Sequence, residues 1–154
     1  MSQFPKDIYT EPSNIDVDTL HNLGPLRAMA GVWEGERGLD VKPKAEGPKK
    51  QAFVEHIELQ PIDPQTNGPQ LLYGLRYHTH ITKPEQIKTY HEQVGYWLWE
   101  PATETLMHTI TIPRGMVVMA SGKAKPDAKE FELTATHLDQ HFGIRSAPFL
   151  DHAF

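Results

Sequence analysis

The side chains best equipped for chemistry in this chain are imidazoles. Nine histidines occur in 154 residues, all but His21 between His56 and His152, and the tightest grouping is His78-Thr79-His80 with His91 shortly after. Residues two apart on a strand point to the same face, so His78 and His80 would act together. If Lys83-Pro84-Glu85-Gln86 is a four-residue loop, Thr82 meets Ile87, and the register sets His80 opposite Thr89 and His78 opposite His91. That pairing predicts Arg76, His78, His80, Thr89, His91 and Gln93 on one face, with Trp97 and Trp99 further along it. Imidazoles so grouped can ligate a divalent metal, form the polar end of a tryptophan-lined cavity, or make a solvated surface patch. Periodicity leaves all three open and favours the patch.

The pattern His78-x-His80 with Glu85 and His91 resembles the metal site of the cupin barrels, which implies a metal-dependent enzyme with His78, His80 and His91 as ligands. Against that pattern, Glu85 falls in the expected turn and Gly74 lies too near His78. Other chemistries lack their residues. The chain has no Cys, which excludes thiol catalysis, zinc ribbons and disulfide frameworks, and fits a reducing compartment. No G-x-S-x-G elbow occurs, and Gly31-Val32-Trp33-Glu34-Gly35 continues with a two-residue period instead of opening a helix, unlike a phosphate loop. Met107, Met116 and Met119, among Ile110, Ile112, Val117 and Val118, read as core whose flexible side chains also suit a ligand cavity.

A formal charge of −5 supplies no basic field for phosphates, so nucleic acid is not an expected partner. The first residues lack a basic start followed by an apolar run, and no stretch of about eighteen uncharged apolar residues occurs. A cytoplasmic protein with no membrane partner is the expectation. The elements that must position the histidines are strands. Residues 1–13, with Pro5 and Pro12, read as an arm. From Asn14 onward, Ile15, Leu20, Leu23, Leu26 and Met29 follow a helical stripe that Asp16 can cap, predicting helix over about 14–30, interrupted at Gly24-Pro25. Past Gly31 the period falls to two, predicting strands near 31–39, 51–60, 70–82, 86–99, 104–112, 115–123 and 129–137 with turn residues between. Consecutive hairpins form a meander, and a long meander curls into a barrel because closure removes unpaired edges. The expected fold class is mainly β: one domain over 14–154, an antiparallel meander β-barrel, incompletely closed if its last strands are missing, behind a short N-terminal helix. Val41–Lys50 reads as a solvated loop, with a lid over a cavity mouth as the functional alternative.

Leu23-Gly24-Pro25-Leu26 followed by Gly31-Val32-Trp33-Glu34-Gly35-Glu36-Arg37 resembles the opening of the nitrobindin-like, haem-binding β-barrel family, whose architecture is that of fatty-acid-binding proteins and lipocalins. The family's G-x-W-x-G-x-G is met at Gly31, Trp33 and Gly35, with Arg37 in place of the last glycine. His91-Glu92-Gln93-Val94-Gly95-Tyr96 is similar to its His-x-x-x-Gly-aromatic strand, and Ile112–Val117 to a later hairpin. The resemblance runs from about Leu20 to Lys123. It implies a ten-stranded, nearly closed barrel that in some members holds haem b, whose ferric iron reacts with nitric oxide or isomerises peroxynitrite to nitrate. It also implies that His91 lies near the haem's distal side or propionates and that Trp33 packs at the barrel's base. The binding reading is a cavity for haem or another hydrophobic small molecule, with His91, His78 and His80 at its polar end.

Two departures bear on that reading. Val41-Lys42-Pro43-Lys44 stands where the family has a haem-contacting Thr, and the axial His of the family's final strand has no assignable counterpart, only the late His137, His141 and His152. The expectation is a cavity that accepts apolar molecules and holds haem less tightly than a proximal His would. A barrel short of its last strands leaves an edge open, for which a homodimer is the expected remedy.

Overall fold

The computed structural model describes residues 6–137 and 139–153. Seven strands follow one another: β1 (Gly31–Lys42), β2 (Lys49–Asn67), β3 (Gln70–Thr82), β4 (Thr89–Glu100), β5 (Thr105–Ile112), β6 (Met116–Lys123) and β7 (Ile144–Ser146). Each pairs antiparallel with the next, in the order β1-β2-β3-β4-β5-β6-β7. The meander is as expected, and it does not close: β1 and β7 stand at opposite ends of that order.

The helical segment is shorter than its stripe suggested and breaks where expected. Helix α1 (Thr19–Asn22) is followed by a 3-10 helix, Gly24–Met29. The cap is Asp18, not Asp16: its Oδ1 accepts from the His21 amide at 3.0 Å, while Asp16 Oδ1 accepts from the Asp18 amide at 2.9 Å, so Asp16 orders the cap from one turn further out. At Gly24 φ is +55°, and a Cβ there would fall 2.6 Å from Trp99 Nε1. Only glycine satisfies both the turn and the close passage of the indole. The break aims Leu23 and Leu26, both fully buried, at Leu59, Tyr73, Leu75, Tyr77, Trp99 and Leu106. Burying each such leucine contributes about 1.5–3 kcal/mol, and together they plug one end of the curled sheet.

Register defines the two faces. Trp33↔Ile57, Ile57↔Thr79, Tyr77↔Gly95, Trp97↔His108 and Ile110↔Val118 place the odd residues of β2 as far as Pro61, of β3, and of β4 from His91 onward, and the even residues of β5 and β6, on the core side. The outer side carries exposed Val32, Val94, Tyr96 and Val117.

Three boundaries differ from expectation. Only the ends of the predicted loop 41–50 belong to β1 and β2, which extend to Lys42 and from Lys49 and leave a short connection through Gly47, where φ is +105°. The predicted strand 129–137 makes a single bridge, Ser121↔Thr134, with Phe131 and Leu133 packed on the core. The ladder stops there because Asp139 Oδ1 accepts from the amides of His141 and Phe142 at 2.7 and 2.9 Å, turning the chain back so that β7 becomes the neighbour of β6. The third is the β3–β4 loop, which spans 83–88 because Thr82 pairs with Thr89 rather than Ile87.

A candidate ligand-binding site

The β3–β4 hairpin decides which histidines face the interior. After Thr82↔Thr89 the ladder resumes at Ile81↔His91, leaving Tyr90 as an extra residue in β4. Beyond this bulge the register is His80↔Glu92 and His78↔Val94. The expected pairing of His78 with His91 is therefore wrong: Arg76, His78, His80 and Thr89 face outward, while His91, Gln93, Trp97 and Trp99 face the core side. A bulge inserts one residue and so exchanges faces beyond it.

On the core side, four side chains form one hydrogen-bonded line. Arg114 Nη2 donates to His91 Nδ1 at 2.8 Å, His91 Nε2 lies 3.1 Å from Gln93 Oε1, and Gln93 Nε2 donates to Tyr77 Oη at 3.1 Å. These partners place the His91 proton on Nε2, an assignment from geometry. Burial pushes the Tyr77 phenol up to about 12, so it stays protonated. Arg114 is presented by the β5–β6 turn, where Gly115 has φ +81° and its carbonyl accepts from the Ala147 amide at 2.7 Å. Beside this line opens a cavity of about 700 Å³ lined by His91, Ile112, Arg114, Met116, His137, Ser146 and Leu150. Tyr90, the bulge residue, donates from its hydroxyl to Asp40, and Lys42 Nζ donates to the same hydroxyl at 3.1 Å, tying β4 to the far strand β1.

His108 was not singled out from the sequence. Its ring stacks on Trp97 with centroids 3.7 Å apart and leans on Tyr77 at 5.1 Å. Its Nε2 is buried with no hydrogen-bond partner among the described residues, and burial pulls its pKa down to about 4. The available signal was its phase: Leu106, His108, Ile110 and Ile112 alternate inward along β5.

The remaining expected site residues serve other roles. His78 Nε2 lies 3.1 Å from a Glu92 carboxylate oxygen and His80 Nε2 lies 2.9 Å from Thr89 Oγ1, their rings stacked at 6.3 Å on the outer face. Next to them His56 bridges Glu58 and Glu34 at 3.2 and 3.4 Å. The Glu58 hydrogen bond, opposed by desolvation and seconded by the Glu34 hydrogen bond, raises the His56 pKa. Among the described residues no three His, Asp or Glu side chains converge to hold a metal, and His91, on the opposite face, cannot join His78 and His80 in a cupin-like site. Trp33 is half exposed, not packed at a barrel base, and its Nε1 donates to the Met29 carbonyl at 2.8 Å. All three late histidines are exposed; His137 borders the cavity, whereas His141 and His152 are not among its lining residues.

Residues 22–147 match the family described as the THAP4-like, heme-binding beta-barrel domain. The chain belongs to that family. The match contains the 3-10 helix, every strand and both arms of the Arg114–Tyr77 line, so the strand-rich fold and a haem-type cofactor are properties of the family to which these residues belong. No curated protein and no solved structure matches the chain. No helix among the described residues is long and apolar enough to cross a membrane.

The residues present suit a haem-like group in part. Ile112, Met116 and Leu150 offer apolar surface to a porphyrin, and the Arg114 guanidinium offers charge-assisted hydrogen bonds to carboxylates. Of the two imidazoles at the cavity, His91 has both ring nitrogens engaged. The other is His137.

Proposed function

We propose that the core-side cavity binds a carboxylate-bearing apolar ligand, haem b first among the candidates, with Arg114 as the carboxylate anchor and His137 as the iron ligand. When bound, haem would supply iron chemistry toward small oxidants or nitric oxide. The chain's own contribution is to orient it: Gln93 and Tyr77 fix the His91 ring, and His91 in turn holds the Arg114 guanidinium at the mouth. The observation that carries this reading is that line of hydrogen bonds ending in a cation beside a roomy, partly apolar cavity. A part-buried polar line ending in an exposed cation at a cavity mouth favours an ionic ligand group over a wholly apolar one.

Titration with hemin and with metal-free protoporphyrin IX separates the contributions. Both should bind saturably, the first with a shifted Soret band. Arg114→Met should weaken both by roughly tenfold, the equivalent of one charge-assisted hydrogen bond of about 1.5 kcal/mol. His137→Ala should change the hemin spectrum and leave the metal-free porphyrin unaffected. Absence of saturable binding, or equal affinities in wild type and Arg114→Met, would sink the proposal.

A further inference from the structure

Charge is distributed unevenly along this molecule. In an antiparallel meander successive connections alternate between the two ends of the strands, so the β1–β2, β3–β4 and β5–β6 connections share one end. There residues 41–50 bring Lys42, Lys44, Lys49 and Lys50 against Glu46. Residues 83–88 bring Lys83 and Lys88 against Glu85, and the β5–β6 turn adds Arg114. Seven cations against two carboxylates leave these segments at +5 in a chain whose formal charge is −5. Acids gather at the other end, where residues 6–18 carry Asp7, Glu11, Asp16 and Asp18 against Lys6 and Tyr73 Oη donates to the Asp16 carbonyl at 3.0 Å.

The three connections form one rim. Lys42 Nζ from the first and Lys83 Nζ from the second lie 5.0 and 5.7 Å from the centre of the same Tyr90 ring. Asp40 is the carboxylate beside them, and it accepts from the Tyr90 hydroxyl. Arg114 joins the rim through its hydrogen bond to His91, the residue after Tyr90. Lys44, Lys49, Lys50 and Lys88 stand exposed around this clamp. In the β3–β4 loop Ile87 is 98% exposed, more than any other large apolar side chain among the described residues. It buries nothing against the fold, so packing gives no reason for an aliphatic group there. An aliphatic tip among lysines matches a surface that has anionic groups outside and hydrocarbon beneath.

We infer that this rim docks on an anionic lipid surface, its lysines over the head groups and Ile87 entering the interface. An acidic polypeptide would satisfy the lysines and leave Ile87 in water, so a lipid surface is the occupant that accounts for both features. Docking of this kind needs no membrane-spanning helix. The acidic end is repelled by the same surface and orients the molecule, which turns the cavity mouth at Arg114 toward the lipid. The inference stands apart from the identity of the ligand in the cavity.

Co-sedimentation with phosphatidylcholine vesicles, with and without phosphatidylserine, tests it. The chain should pellet with the phosphatidylserine vesicles at low salt, be released as salt rises, and ignore phosphatidylcholine alone. Each lysine near an anionic leaflet strengthens binding by roughly fivefold, so Lys44→Glu/Lys88→Glu should weaken it by roughly twentyfold or more. Ile87→Ser should weaken it by roughly tenfold and keep its salt dependence. Lys6→Glu/Lys129→Glu makes the same change of charge away from the rim and should alter the affinity little. All five positions are exposed, so circular dichroism and melting should match wild type and separate lost docking from lost folding. Polyglutamate-coated beads are the competing surface, and retention on them without vesicle binding would assign the rim to an acidic protein. That outcome would overturn the inference, as would absence of phosphatidylserine-dependent pelleting, an equal loss in Lys6→Glu/Lys129→Glu, or indifference to the Lys44/Lys88 reversal or to Ile87→Ser.

Discussion

His108 gives the sharpest test of the interior. Its ring is sandwiched between Trp97 and Tyr77 with Nε2 unpartnered among the described residues, and burial lowers its pKa from 6.5 to about 4. Above pH 6.5 the ring is neutral in folded and unfolded chains alike and contributes no slope. As pH falls from 6.5 toward 4, the unfolded chain takes up a proton that the folded chain refuses, so stability drops; below 4 both are protonated and the loss stops. A fully sealed ring would lose about 3 kcal/mol across that window. This ring is only part-buried, and screening by water reduces the expectation to about 1.5 kcal/mol. His108→Phe keeps the aromatic stack and removes the titration. At pH 7 the variant should be at least as stable as wild type, because an unpartnered buried nitrogen costs about 1–3 kcal/mol. Its advantage should then widen by about 1.5 kcal/mol between pH 7 and 4.5 in urea titrations followed by tryptophan fluorescence. Other groups titrate in both proteins and cancel in the difference. Parallel pH profiles would show that water or a ligand group reaches Nε2, and the sealed interior would be refuted.

His56 should behave with the opposite sign: its pKa is raised by Glu58 and Glu34, so its stabilising contribution is present below pH 6.5 and fades as pH rises through the raised value. Its imidazole resonances should titrate above the ordinary histidine midpoint in wild type and move down in Glu58→Gln; an unchanged midpoint would contradict the assignment of Glu58 as the main cause. Leu75, fully buried beneath the helical plug, should cost about 2–5 kcal/mol on conversion to Ala, whereas Val94→Ala on the outer face should change the urea midpoint little.

Much of the fold was legible because hydrophobic phase and turn chemistry agree over most of the chain. The change of period at Gly31, the break at Gly24-Pro25 and the Pro113-Arg114-Gly115 turn all stand in the structure, and the motif around Trp33 pointed to the family. Residues 129–137 misled because Phe131 and Leu133 alternate with polar residues as a strand would, yet their burial is against the core beyond a single bridge. Arg114 was hidden for a different reason. A turn residue has no periodicity, and its importance comes from a partner 23 residues earlier in the chain.

The site histidines show how little error suffices to misplace a function. A four-residue loop puts His78 opposite His91. Lengthening the loop by two residues, as the Thr82↔Thr89 pair does, slides the strands but preserves every face, because side chains alternate with period two. What turns His91 inward is the single extra residue, Tyr90, and no glycine marks it. The cause lies outside the hairpin: the Tyr90 hydroxyl is held by Asp40 and Lys42 on β1, three strands away in the sheet order. A long-range contact thus stabilises a local irregularity, and the irregularity sorts the histidines into two classes. His56, His78 and His80 pair with side chains on the outer face, while His91 joins Arg114 at the mouth of the interior. Deleting Tyr90 would restore the unbulged ladder with Thr82↔Thr89 and Ile81↔His91 as adjacent pairs, so His91 would keep its inward face. The Arg114 anchor should then keep its hydrogen-bonding support and porphyrin affinity should stay close to wild type; a loss as large as that of Arg114→Met would show that the Tyr90 tie to Asp40 and Lys42, and not the register alone, holds the site.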